Sequence, residues 1–227
     1  MKKYTGQLIH INRIVLCFVF AITLISCATT GHYQLDVRYM PQMESKSADS
    51  GMQQCIITTA QFNDERNQPD REFIGKRIQG DSSVRKAVPL TMTPSETVGT
   101  AIKDAFFKNG YTVFGGTPAW NCTGTSVREE WGNLVVGGFI EELDVTSRTA
   151  FLSAEYKTKV KLRVIFADVK QKSILYTTSI ESSSSFSHLF FNQSRMEQEI
   201  SNTLSIAVEK MFADNKVKEI IRTMTQK

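Results

Sequence analysis

Histidine is scarce in this chain, with three in 227 residues. His10 lies in an N-terminal leader and His32 just after it, so His188, in "SSSSFSHLFF", is the histidine left for chemistry inside a domain. A lone imidazole beside serines lacks the third group that a nucleophile–base–orienter triad needs. No two histidines stand at ligand spacing and there is no C-x-x-C, so nothing supports a zinc site. Dinucleotide and P-loop motifs are absent too. Gly115-Gly116 and Gly137-Gly138 read as turn and strand-bulge glycines. No metal and no cofactor is expected, and a non-enzymatic role follows as the expectation.

Long apolar runs are missing as well. The longest, Ile14 to Ile25, has twelve residues with Thr23 as its polar member. A membrane-spanning helix needs about 20, so this run is too short to be one. Preceded by Lys2, Lys3 and Arg13 with no acid, it has the anatomy of a secretory signal peptide. It ends in Leu24-Ile25-Ser26-Cys27, which resembles a bacterial lipobox. On that resemblance residues 1–26 are removed, the sulfur of Cys27 is diacylated, and palmitate-type chains hold the protein to a membrane. More than one acyl chain makes such anchoring stable. Ala28, rather than Asp, follows the cysteine, which by resemblance to enterobacterial sorting favours the periplasmic face of the outer membrane.

Net charge is a third absence. Of 27 basic residues three lie in the leader, which has none of the 23 acids, so the mature chain carries only +1. That leaves no concentrated basic footprint for nucleic acid. Cysteine is sparse too: Cys17 departs with the leader and Cys27 is the anchor, leaving Cys55 and Cys122. In an oxidising compartment two thiols are candidates for a disulfide, and the sequence leaves open whether these pair.

The remaining residues pattern clearly. Residues 27–32 form the lipidated N-terminus and tether, and 33–227 one α+β domain. "YQLDVRY" alternates as a strand, with Tyr33, Leu35, Val37 and Tyr39 on one side, and "QCIITTAQF" is a second strand. A polar loop of about twenty residues follows, with space for a short strand. Within it Asp64-Glu65-Arg66 is expected to form a structural ion pair, with Arg71 as candidate partner. "TPSE", Thr93 to Glu96, is a capping box with Pro94 at the first helical position. Its helix stops at Asn109-Gly110 before the strand "YTVF". The segment 115–132 holds Trp120 and Trp131 and is expected to be pinned over the core.

Next come "NLVVGGFIEELDV", "AEYKTKVKLRVIFADV" and "KSILYTTSIESSSSF", three strands of a meander joined by tight polar connections, notably Lys170-Gln171-Lys172. In the third, Ile174, Tyr176, Thr178 and Ile180 are expected on the dry side. A closing amphipathic helix is interrupted at Asp214-Asn215. The expected architecture is a curved, mostly antiparallel sheet with two main helices on one face.

The central meander strand carries the most regular surface feature. Lys157, Lys159, Lys161 and Arg163 share its wet face, a row about 20 Å long at 3.3 Å per residue. It is the candidate face for an anionic ligand such as a lipid headgroup or glycan-linked phosphate. The competing reading is an ordinary solvated sheet face, with Glu141, Asp144 and Glu181 as neighbours able to neutralise it. Glu142 and Asp144 share a face but are expected to be solvated rather than catalytic.

Taken in order, the lipobox, "CIITTAQFNDERNQPDREFIG", "LTMTPSETVGTAIKDAFFKNGYTV", "GFIEELDV", the Lys-alternating strand and the closing helix resemble the YajG-like lipoproteins of Gram-negative bacteria. The longer loop carrying Trp120 and Cys122 departs from that pattern. The resemblance implies a cell-envelope lipoprotein and transfers no catalytic residue. Its expected role is an accessory or scaffold engaging another envelope component. The alternatives are a module binding lipid, glycan or peptidoglycan, or an auxiliary lipoprotein of a transporter.

Overall fold

The capping box forms as the sequence predicts. In a computed structural model, which describes residues 32–41, 55–89 and 92–225, the Thr93 side chain accepts from the Glu96 backbone and the Glu96 carboxylate accepts from the Thr93 N–H. Helix α1 runs Pro94–Lys108 and turns Val98, Ile102 and Phe106 inward. The leader, Cys27 and most of the tether lie outside the described residues. Residues His32–Lys227 form one compact unit.

The strands are β1 (Tyr33–Leu35), β2 (Ile56–Asp64), β3 (Gly75–Ile78), β4 (Val84–Pro89), β5 (Thr112–Val113), β6 (Leu134–Ala150), β7 (Ser153–Asp168) and β8 (Ser173–His188). They make one mixed sheet, curled into a half-barrel. The polar loop after β2 holds the short strand β3, which pairs with the following β4 as a hairpin. Strand β6 organises the rest. Its first half pairs in parallel with β2 and its second half with β3, while its other edge pairs along its length with β7. Strand β7 pairs with β8 to complete the meander. Four of the seven pairings are parallel but short; the long ladders are antiparallel.

Helix α2 (Gln193–Ala213) and helix α3 (Asn215–Thr225) follow, separated at Asp214, whose carboxylate accepts from the Lys216 N–H and starts the second helix. The core between helices and sheet joins Ile102 and Phe106 of α1, Leu204 and Val208 of α2, and Leu134, Val136, Leu162 and Val164 of the sheet. Val135, between two of these core residues, points the other way, into a second cluster with Trp120, Val127, Trp131 and Ile165. The Trp loop therefore caps the other face of the sheet over the first half of β6. Both indoles are buried, and Trp120 donates from Nε1 to the Thr123 carbonyl, which fixes the loop on itself.

One strand parity differs from expectation. A register shift between Phe166 and Ala167 sets Tyr176 against Phe166 and Ile174 against Ala167. Leu175 is bulged, so Ile174 is exposed and Leu175 packs on the core.

Candidate functional site

The wet face of β6 and β7 is built by a second irregularity. Between Ile140 and Glu142 the β6 register shifts by one residue. Strict alternation would send Glu141 and Glu142 to opposite faces; the bulge lets both reach the lysine row. Lys161 lies 3.0 Å from Glu141 and Lys159 2.8 Å from Glu142. Lys157 pairs with Glu155 on its own strand at 3.0 Å. Arg163 bonds Glu65 and lies 3.2 Å from Glu141, with its guanidinium 4.2 Å from the Phe139 ring centre. The cation row exists with the expected spacing, and each of its four members faces a carboxylate. It is an interlocked ladder of opposite charges.

Asp144 sits further along the same face. Burial pushes its carboxyl above the usual range, against a hydrogen bond donated by Thr146 at 3.0 Å and the nearby charges of Lys76 and Arg66. Glu142, the other acid of the candidate pair, is taken by Lys159. His188 is exposed at the end of β8, and its Nδ1 lies 3.2 Å from the Phe190 carbonyl of its own chain. Among the described residues no group of three His, Cys, Asp or Glu side chains is placed to hold a metal ion.

A groove of about 530 Å³ opens between the Trp loop and the end of β2, lined by Asn63, Asp64, Asn121, Ser126, Arg128 and the edges of both indoles. Asn63 anchors its floor, donating from Nδ2 to the carbonyls of Trp120 and Gly138. The sequence signal for this groove was the loop's length and its two tryptophans, but which polar groups converge there depends on packing.

The expected ion pair forms between Asp64 and Arg66, and Arg71 contributes its backbone carbonyl rather than its guanidinium. Arg66 is buried and donates from Nε and Nη2 to the two Asp64 oxygens at 2.9 and 2.7 Å. Its remaining donors reach the carbonyls of Phe73, Leu143 and Arg71. All of its directions are used inside the protein, so it holds the loop after β2 and not a ligand.

The two candidate cysteines do not meet in the structure. Cys55 and Cys122 are both free and buried. Cys55 belongs to the core under the helices and Cys122 to the cluster under the Trp loop, so the sheet stands between them. Burial pushes each thiol up to about 11, which suppresses the thiolate needed for exchange. In a chain starting at Ala28, Ellman's reagent at pH 8 should titrate both thiols after unfolding and react about tenfold or more slowly with the folded protein. A mass lighter by two hydrogens would show a bridge and overturn this.

One feature escaped the sequence reading. The β6–β7 connection, expected to be polar, turns on Phe151 and Leu152, 94% and 60% exposed. Leu189 and Phe190, after β8, are 69% and 62% exposed. The signal was present: "TAFLS" interrupts two alternating strands with two large apolar residues where turn chemistry favours Gly, Asn, Asp or Pro.

No protein-family model matches the chain, and no curated protein matches it in sequence. Among solved structures, a Xanthomonas campestris protein of the DUF330 family is 8% identical over 85% of this chain and 99% of its own, with a TM-score of 0.49. A Helicobacter pylori protein described as a neuraminyllactose-binding haemagglutinin homologue is 11% identical over 82% of this chain and 97% of its own, at 0.40. Lipoprotein GNA1162 of Neisseria meningitidis is 15% identical over 70% and 99%, at 0.36. At these scores no role passes from those proteins to this chain. Among the described residues no helix is long and apolar enough to cross a membrane.

Proposed function

We propose that this chain is a non-enzymatic lipoprotein of the bacterial envelope, of YajG-like type, held through acylated Cys27 at the periplasmic face of the outer membrane. There it acts as an accessory to another envelope component. The observation that carries this reading is the basic–apolar–Leu24-Ile25-Ser26-Cys27 leader, placed five residues before a unit with its own complete core. The non-enzymatic part is supported by how the candidate acid–base groups are occupied: Glu142 by Lys159, and His188 by its own backbone.

The test is metabolic labelling with palmitate in cells expressing the full chain and its Cys27→Ser variant. The parent should be labelled and sediment with outer membranes. The variant should lose the label and fall at least about tenfold in the membrane fraction, as expected when the acyl chains are lost. An unlabelled parent would sink the reading.

A second reading has one observation in its favour. The groove beside Asn63 and Arg128 lies within the 300–1,000 Å³ range of small-ligand sites. It suits a small polar ligand such as a glycan or peptidoglycan fragment better than the charge-compensated lysine face does.

A further inference from the structure

Among the described residues, four of the eight large apolar side chains left exposed gather at one end of the sheet. Ala150 pairs with Ser153 around the Phe151-Leu152 turn, and Ala154 pairs with His188, so the segment bearing Leu189 and Phe190 leaves β8 beside that turn. Neither turn residue has a positive φ, so the backbone does not demand an unusual residue there, and folding has no evident use for large apolar ones. Isolated surface hydrophobics need no explanation, but four at one end do.

Beneath them lies a rigid base. Tyr156 stacks on Phe186 at 4.7 Å and on Phe191 at 6.2 Å, and Phe191 meets Tyr33 at 5.4 Å. Arg77 lies 3.7 Å over Phe191, donates to the Tyr33 hydroxyl at 2.8 Å and reaches Thr149 beside the turn. Exposed Arg148 and Arg195 rim the same end. Glu155, across the ladder from Arg148, is held by Lys157, and Asp81 of the neighbouring hairpin accepts from Ser83.

The N-terminal strand heads this way too. Tyr33 pairs with Ala87, which pairs with Gly75, which pairs with Val145. Val145 is five residues short of Ala150, about 17 Å along the strand. Strand β1 runs parallel to β4, whose first residue lies nearer the turn, so β1 starts on the side facing that end. Cys27 is six residues before Tyr33, a span of at most about 21 Å. Tyr33 itself contacts Phe191, the residue after Phe190, so a span of that length takes in the apolar end.

We propose that this end of the domain docks on the bilayer. Phe151 and Leu152, with Leu189 and Phe190, enter the headgroup region while Arg148 and Arg195 meet anionic lipid phosphates. The apolar tip supplies burial at the acyl boundary and the cations supply attraction to the anionic surface, the two contributions known for interfacial segments. The orientation of docking relative to the anchor rests on the lipoprotein reading above; the surface itself does not.

The test uses the chain from Ala28, which lacks the anchor but retains the whole core, with vesicles of phosphatidylethanolamine and phosphatidylglycerol at 3:1. A Phe151→Trp indole should be quenched about twofold or more by brominated lipid, given a tip that reaches the acyl boundary. Native Trp120 and Trp131, buried near the opposite end, should report no change. Vesicle binding should fall about tenfold in Phe151→Ser/Leu152→Ser and in Leu189→Ser/Phe190→Ser, as expected when apolar anchors are removed. Circular dichroism of the variants should match the parent. An unquenched indole with unchanged partition overturns the proposal. So does a dimer that the Ser variants abolish without any vesicle binding, which would make this end a contact between copies. Quenching in a protein that fails palmitate labelling would retain the docking surface and remove the anchor.

Discussion

Arg66→Ala should cost this protein about 3–5 kcal/mol, the range for removing one partner of a buried ion pair. The substitution strips Asp64 Oδ2 of its side-chain donor, leaves Oδ1 with the Arg66 backbone N–H at 3.1 Å in place of two donors, and leaves the Phe73 and Leu143 carbonyls without the Nη1 that serves them. Each orphaned buried acceptor adds a desolvation cost of about 1–3 kcal/mol, only partly relieved by water reaching the site. For a domain of this size the melting temperature should drop by roughly 6–20 °C. Arg66→Lys should recover little, because one ammonium cannot reach a bidentate carboxylate and three carbonyls. Asp64→Ala/Arg66→Met is the informative double variant. Removing both charges relieves the unpaired carboxylate but not the carbonyls, so it should remain about 1–3 kcal/mol below the parent. Urea melts read all three, and a loss under about 1 kcal/mol in Arg66→Ala would refute the clamp.

Gly138→Ala should be nearly as damaging. Gly138 has φ +151 and pairs with Val164; a Cβ there would lie 1.9 Å from the Arg163 carbonyl oxygen and 3.1 Å from the Phe62 ring. The near atom is backbone of the adjacent strand, so relief requires β6 and β7 to part. Overpacking of about 1–3 kcal/mol and backbone strain of similar size together give about 2–6 kcal/mol. The control is Gly115→Ala, where nothing lies within 4 Å. It should be neutral or slightly stabilising, within about 1 kcal/mol. Equal melting temperatures for the two variants would refute the account.

These two sites differ in how visible they were. The Asp64-x-Arg66 pair was legible as charges at short spacing in a polar loop; the glycine pair marked an irregularity, but the extra residue there lies on β2, between Thr59 and Phe62, and not on β6. The capping box, the helix break at Asp214 and the alternation of β7 were also local, and local patterns survive folding unchanged. What the sequence hid was non-local. Three register shifts among the described residues, between Thr59 and Phe62, at Glu141 and at Leu175, move residues by one position, and no periodicity announces them. The separation of Cys55 from Cys122 depends on which face the Trp loop covers. The convergence of Asn63, Asn121 and Arg128 on one groove depends on the same loop. The apolar end was overlooked because each of its two segments is short, and only the register of β6, β7 and β8 brings them together.

The parallel pairing of β2 and β3 with the two halves of β6 has a consequence in time. A chain delivered N-terminus first, whether from a ribosome or through an export channel, presents β2 long before residues 134–150 arrive to pair with it. The β6–β7–β8 meander closes through short turns and needs nothing earlier in the chain, whereas β2 must wait for it. Strand β6, which arrives only after the middle of the polypeptide, is thus the template on which β2 and β3 are completed. A nascent chain stopped short of Leu134 would hold an apolar strand with its main partner edge still missing.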